Sequence, residues 1–219
     1  MNLIILGPQG SGKGTQALLL AEKFNLAHIE MGLLLRTVAQ ENSELGRKID
    51  EIVNQNKDLA PDEVVYSVLT EEIEKIPHGK KGVIFDGVPR TIGQIEKVEK
   101  ILLEYGRITD VVIYISLPME ESIERITKRF GCKSCKSRLI LKEDIQSPGD
   151  KCPNCGGEVV QRTDDTLEGI TKRLDIFYRE TLPVIEHYRK KGILYEVDGC
   201  RNVESVYLDI SEKVKSLEE

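Results

Sequence analysis

The chain has 219 residues, enough for one sizeable domain carrying smaller insertions. Hydrophobic residues make up 40% and charged residues 31%, a globular balance that excludes disorder over most of the length. Lys and Arg number 31 against 37 Asp and Glu, a net charge of −6, which argues against a general nucleic-acid or membrane surface and requires a local positive cluster for any anionic substrate.

The first apolar run, Leu3-Ile4-Ile5-Leu6, follows Asn2 directly. It is too short for the core of a signal peptide and has no basic segment before it. No stretch approaches the roughly 18 apolar residues of a membrane span. The expectation is a cytosolic protein whose five Cys are ligands rather than disulfides.

Strands are predicted at Leu3–Leu6, Ala27–Ile29, Gly82–Phe85, Val111–Ile115 and Ile193–Val197. None alternates cleanly, as expected of strands covered on both faces. Helical spacing links Ile95, Val98, Ile101, Leu102 and Tyr105, and later Leu167, Ile170, Leu174, Phe177, Ile185 and Tyr188. Strand and helix in alternation predict an α/β fold, a parallel sheet of five strands with flanking helices. Two regions break the rhythm. Residues 32–75 read as helical, with breakers around Asn56–Pro61, and residues 130–163 are rich in Gly, Cys, Ser and Pro.

After the first strand, Gly7-Pro8-Gln9-Gly10-Ser11-Gly12-Lys13-Gly14-Thr15 contains G-x-x-x-x-G-K, the phosphate loop of a P-loop NTPase core. Its glycines let backbone N–H groups curl around an anion, the following helix adds its dipole, and Lys13 adds a mobile charge. Gly14 stands where Ser or Thr is usual. A switch GTPase would need N-K-x-D; Asn56-Lys57-Asp58-Leu59 ends in Leu and follows no strand.

Gly32 to Arg36 places an Arg after the second strand, and Phe85-Asp86-Gly87-Val88-Pro89-Arg90-Thr91, with Gln94, follows the third. Asp86 at a strand end can hold the waters of a Mg²⁺ ion, and Arg90 can fork onto a phosphate. A surface salt bridge is the plainer role for either Arg.

Cys132-x-x-Cys135, sixteen residues, then Cys152-x-x-Cys155 has the spacing of a zinc site. Four thiolates fill the tetrahedron, so the metal is structural; disulfides are the alternative. Cys200 stands alone as a packing or surface thiol. Asp165-Thr166-Leu167-Glu168 has the form of a capping box. His28, His78 and His187 fall in no motif and are assigned packing or surface roles.

GPQGSGKGTQ, FDGVPRT with Gln94, IERITKR, QRTDDT followed by TKRL, and the late VDG together resemble the adenylate kinases, in an order that covers nearly the whole chain. The resemblance implies reversible phosphoryl transfer from Mg·ATP to AMP, giving two ADP. It implies a core of residues 1–30, 76–129 and 164–219, a monophosphate-binding insertion of 31–75, and a zinc-bearing lid of 130–163 that bends near Phe130 and Thr163. By motif, Gly10, Ser11, Gly12, Lys13, Gly14 and Thr15 wrap the ATP phosphates, with Arg138, Leu139 and Arg201 also on the ATP side. Met31, Arg36, Asp58, Leu59, Ala60, Gly87, Val88, Pro89, Arg90 and Gln94 serve AMP, with Gln94 reading the adenine edge. Arg125, Arg129, Arg162 and Arg173 surround the transferring group, and Asp164 and Asp165 bind lid arginines.

The family pattern T-G-D-x-x-R is broken here. Met31 replaces the hydroxyl and Leu33 the acid. Another monophosphate such as CMP or UMP is therefore an open alternative. So is a zinc-ribbon nucleic-acid protein, although 5% aromatic residues and no Trp count against it. With no apolar heptad, a monomer is expected.

Overall fold

The computed structural model describes residues 1–135, 137–161 and 165–217. Its centre is a five-stranded sheet in the order β2-β3-β1-β4-β8. The strands are β1 (Asn2–Leu6), β2 (Leu26–Glu30), β3 (Gly82–Asp86), β4 (Val111–Ser116) and β8 (Leu194–Asp198), and every pairing is parallel. The predicted strands hold to within a residue or so at each end.

The missing alternation has a direct cause. Every residue of β1 and of β3 is buried. Ile4 and Leu6 face one apolar layer, Leu3 and Ile5 the other. The second layer is covered by α1 (Lys13–Lys23), through Ala17, Leu20 and Ala21, and by α9 (Val203–Lys215), through Val206, Ile210 and Val214. The first is covered by α2 (Met31–Ala39), α4 (Asp62–Glu74), α5 (Ile92–Glu104) and α8 (Leu182–Lys190).

The first irregular region is helical, as expected. After α2 come α3 (Glu44–Ile49), whose start is capped by Ser43 Oγ accepting from Gly46 N at 2.9 Å, and a wider helical turn at Asp50–Gln55. Residues 56–61 then leave the helix before α4.

After β4, α6 (Met119–Thr127) leads into a second, three-stranded sheet in the order β6-β5-β7. Its antiparallel strands are β5 (Arg129–Cys132), β6 (Arg138–Ile140) and β7 (Val159–Val160). Phe130, expected at a hinge, is buried in β5 opposite Leu139. Thr163, the other expected hinge, lies outside the described residues.

The second helical pattern is not one regular α-helix. α7 (Leu167–Ile176) and α8 are joined by a widened turn, Phe177–Thr181. Pro183 follows that turn, and a proline cannot donate the next helical hydrogen bond. The start of α7 also differs from the expected box. Thr166, not Asp165, is the cap, its Oγ1 accepting from Gly169 N at 3.1 Å. Asp165 is drawn instead to two arginines, because a buried carboxylate gains more from charged donors than from one backbone N–H.

Candidate active site

The phosphate loop lies between β1 and α1. Gly10 and Gly12 have φ of 82° and 84°, the left-handed region where a side chain would be strained. From Gly12 the backbone turns into helix, its carbonyl accepting from Thr15 N at 2.9 Å and Gln16 N at 3.0 Å. Gly7 is needed for a different reason. A Cβ there would come within 2.7 Å of the Ile115 carbonyl and 2.6 Å of Ser11 Oγ. Ser11 is buried.

Lys13 marks the centre. Its Nζ lies 3.4 Å from the Pro8 carbonyl, and its pKa is lowered from the ordinary 10.5 to about 8. Burial is the main cause; Asp86 opposes it, and Arg90, Arg129 and Arg138 reinforce it. Those three arginines come from the β3–α5 connection, from β5 and from β6. Segments far apart in the chain thus bring positive charge to one amine.

The arginines are oriented by different partners. Arg129 forks onto Asp165, Nη2 donating to Oδ1 at 2.7 Å and Nε to Oδ2 at 3.0 Å. Arg173 donates from Nη2 to the same Oδ1 at 2.8 Å. Asp165 is only 6% exposed, so one buried carboxylate aligns two guanidinium groups. Arg90 Nε donates to the Gly87 carbonyl at 2.7 Å, and Arg90 Nη2 and Arg36 Nη1 both lie over Gly32, where a Cβ would stand 3.7 Å and 3.3 Å from them. Arg138 reaches from β6 across to Gly14, where a Cβ would collide with its guanidinium. Arg138 Nη2 donates to Glu30 Oε2 at 2.9 Å.

Arg125 and Arg201 turn elsewhere. Arg125 Nε donates to Glu121 at 2.7 Å and Nη1 to the Gly199 carbonyl at 2.8 Å. Arg201 pairs with Asp209 at 2.6 Å on α9 and donates to the Ser205 carbonyl at 3.0 Å. Arg162 and Asp164 lie outside the described residues.

Around the expected acceptor pocket, Gln94 is 2% exposed. Its Oε1 accepts from Arg90 N at 2.7 Å and its Nε2 donates to Asp62 Oδ1 at 2.8 Å. Each end of the amide keeps one further site, so base reading would have to share it. Met31 is buried in the apolar layer with Leu35, while Leu33 is 51% exposed and offers no ligand atom. Val88 is buried, and Pro89 follows it into the turn toward Arg90. Asp58, Leu59 and Ala60 lie on the stretch after the widened turn, Ala60 packed into the core. Asp58 pairs with Lys172 of α7 at 2.9 Å. Lys172, Asp62 and Glu30 had no signal in the sequence, since each is an ordinary exposed-type charge until its partner is known.

His28, expected in a surface or packing role, is largely buried. Its Nε2 is buried, 3.9 Å from Asp86 Oδ2. Asp86 is 4% exposed; burial pushes its carboxyl up, but His28 and Lys13 beside it hold the pKa below the ordinary value.

The four clustered cysteines also meet. Their Sγ atoms lie within 4.8 Å of one another, with Cys132–Cys155 at 3.4 Å and Cys135–Cys152 at 3.6 Å, and none forms a disulfide. Thiolates at about 2.3 Å from a tetrahedral zinc stand about 3.8 Å apart, so the cluster is compatible with zinc. Ser137 Oγ lies 3.0 Å from Cys135 Sγ and accepts from Asn154 Nδ2 at 3.0 Å, a supporting contact that the Cys spacing did not reveal. Leu139 is buried beside Cys132 and Cys152 in the same small core.

The family model described as adenylate kinase matches residues 5–193. The chain belongs to the adenylate kinase family. It is similar to an adenylate kinase of Archaeoglobus fulgidus, 42% identical over 99% of this chain and 100% of the relative. An adenylate kinase of Caldanaerobacter subterraneus subsp. tengcongensis is 40% identical over 96% of this chain and 94% of the relative. One from Methanothrix thermoacetophila is 38% identical over 96% and 97%. The expected kinase class and the five-stranded fold are thus both borne out. No helix among the described residues is long and apolar enough to cross a membrane.

Proposed function

We propose that the protein transfers a phosphoryl group reversibly from Mg·ATP to AMP, giving two ADP. The observation that carries this reading is the gathering of Arg90, Arg129 and Arg138 around Lys13 at the phosphate loop. Phosphoryl transfer asks little covalent work of a protein, so positioning and charge compensation supply the catalysis. The backbone of Gly10, Ser11, Gly12, Gly14 and Thr15 holds the ATP phosphates, and Lys13 neutralises them. Arg36 and Arg90 take the AMP phosphate over Gly32. Arg129 and Arg173, held by Asp165, stand where charge builds in transfer; Arg162 completes this set. Arg125 and Arg201 would join Arg138 and Leu139 on the ATP side by leaving Glu121 and Asp209, while Asp58, Leu59, Ala60, Gly87, Val88 and Pro89 would frame AMP.

Magnesium bound with ATP would supply charge neutralisation at the phosphates. Asp86, buried yet kept ionised beside Lys13, fits the carboxylate that would hold the ion's waters. Zinc fits Cys132, Cys135, Cys152 and Cys155, where four thiolates leave no open position for chemistry.

Residues 130–163 would act as a lid over ATP, 31–75 as the AMP-binding insertion, and 1–30, 76–129 and 164–219 as the core. Lid closure excludes water, so the phosphoryl group goes to AMP rather than being hydrolysed. We assign the reaction to a monomer in the reducing cytoplasm, where free thiols persist.

The test is incubation with ADP and Mg²⁺ alone. Equal appearance of AMP and ATP is the expected result. CMP or UMP is the second reading, favoured by the commitment of Gln94 to Asp62 and Arg90. A monophosphate panel decides between them: preference for a pyrimidine would overturn AMP as acceptor.

A further inference from the structure

Against the arginine cluster, where Arg138 pairs with Glu30, lies a second group of metal-type side chains. His28, Glu30 and Asp86 each offer one ligand atom, and all three atoms lie within 4.8 Å of one another. Strand register produces the group. Glu30 is paired with Asp86 across the parallel β2–β3 ladder, and His28 is paired with Ile84 two residues earlier. Residues two apart share a face, so the three side chains rise from one face of the sheet. They rise at the carboxyl ends of the strands, where open α/β sheets bind ligands.

We infer that His28, Glu30 and Asp86 form a divalent-cation site of one imidazole and two carboxylates, one that favours Mn²⁺ over Mg²⁺. The spacing suits a single ion. Donors on opposite sides of a cation bonded at about 2.1–2.4 Å stand about 4.2–4.8 Å apart. The imidazole supplies an independent sign. Its Nε2 is buried and has no hydrogen-bond partner among the described residues, although it faces Asp86 at 3.9 Å. A buried ring nitrogen without a partner is unusual, and a cation between the two side chains would provide one.

The donor set decides the ion. Mg²⁺ keeps its waters and prefers oxygen ligands alone, whereas imidazole nitrogen suits later first-row metals. Mn²⁺ accepts carboxylate oxygen and imidazole nitrogen together. Arg138 at 2.9 Å and Arg36 at 3.7 Å balance Glu30 when no cation is bound. Glu30 therefore exchanges a guanidinium for a metal as the ion enters.

The site is tested without nucleotide, so its failure is separate from any failure of the phosphoryl-transfer reading. Zinc-loaded protein is titrated with Mn²⁺ and free ion is read by electron paramagnetic resonance. One Mn²⁺ per chain is expected, displaced only by a large excess of Mg²⁺, with electron spin-echo modulation from a directly bound nitrogen. His28→Gln should lose that modulation and weaken Mn²⁺ binding at least tenfold. Glu30→Gln should weaken binding comparably while keeping the nitrogen signal. Because the Glu30 side chain is 21% exposed, this variant carries the test if His28→Gln fails to fold. Equal Mn²⁺ affinity in wild type and Glu30→Gln, absence of the nitrogen signal in wild type, or displacement by equimolar Mg²⁺ would each overturn the inference.

Discussion

The two sheets of this molecule are held together by different means. The central sheet lies between two apolar layers that draw on all its strands and on helices from most of the chain. The small sheet of β5, β6 and β7 has a core of Phe130, Leu139, Ile145 and Val159, completed by Cys132 and Cys152. Hydrophobic burial scales with area, and a segment this short cannot remove enough apolar surface from water to hold itself rigid. Four thiolates close enough to share one metal offer a substitute. The difference teaches that a small sheet can have a core of its own, separate from the central layers.

The comparison breaks most sharply in the central sheet. Ile4→Ala in β1 should cost about 2–5 kcal/mol of global stability, because the cavity lies where nothing can collapse into it. Denaturant unfolding should show one transition shifted as a whole. Cys152→Ala should act on the other sheet alone. Zinc content should fall, and amide exchange should rise across residues 130–161 while β1 and β3 stay protected. Any shift of the overall melting temperature should amount to about 2–4 °C for each kcal/mol lost. An unchanged melting curve with full zinc content would contradict a structural metal.

The smallest expected effect concerns Lys13, where the regions meet. Its free-state pKa of about 8 lies below the ordinary value, and phosphates would raise it again. Below pH 8 the amine is already charged, so ATP affinity should be flat. Above pH 8 the free protein has lost the proton and must take one up on binding. Affinity should then fall by up to about tenfold per pH unit, until the pKa of the bound state is reached. Calorimetry in two buffers of different ionisation enthalpy measures that uptake. An affinity unchanged from pH 7 to 9 would show that the amine is not the titrating group.

Much of the candidate site was legible because its signals are local. Lys13 and its glycines sit in one turn, Cys132 and Cys135 in another, and Arg90 and Arg129 in short motifs. Less was legible where a side chain chose among distant partners. Asp165, read both as a helix cap and as a partner of lid arginines, became the fork for Arg129 and Arg173 and left the cap to Thr166. His28 looked like packing and came to face Asp86. Gln94, expected to read the adenine edge, is held by Asp62, thirty-two residues away.

The amino-acid order alone determined the strands, the phosphate loop and the cysteine knuckles, because backbone periodicity and short-range spacing are properties of a single segment. Only the tertiary structure decided that Arg138 lies over Gly14, that Glu30 aligns with Asp86, and that Lys172 reaches Asp58. Those pairings depend on strand register and helix docking, which the folded layers impose on residues that no local pattern connects.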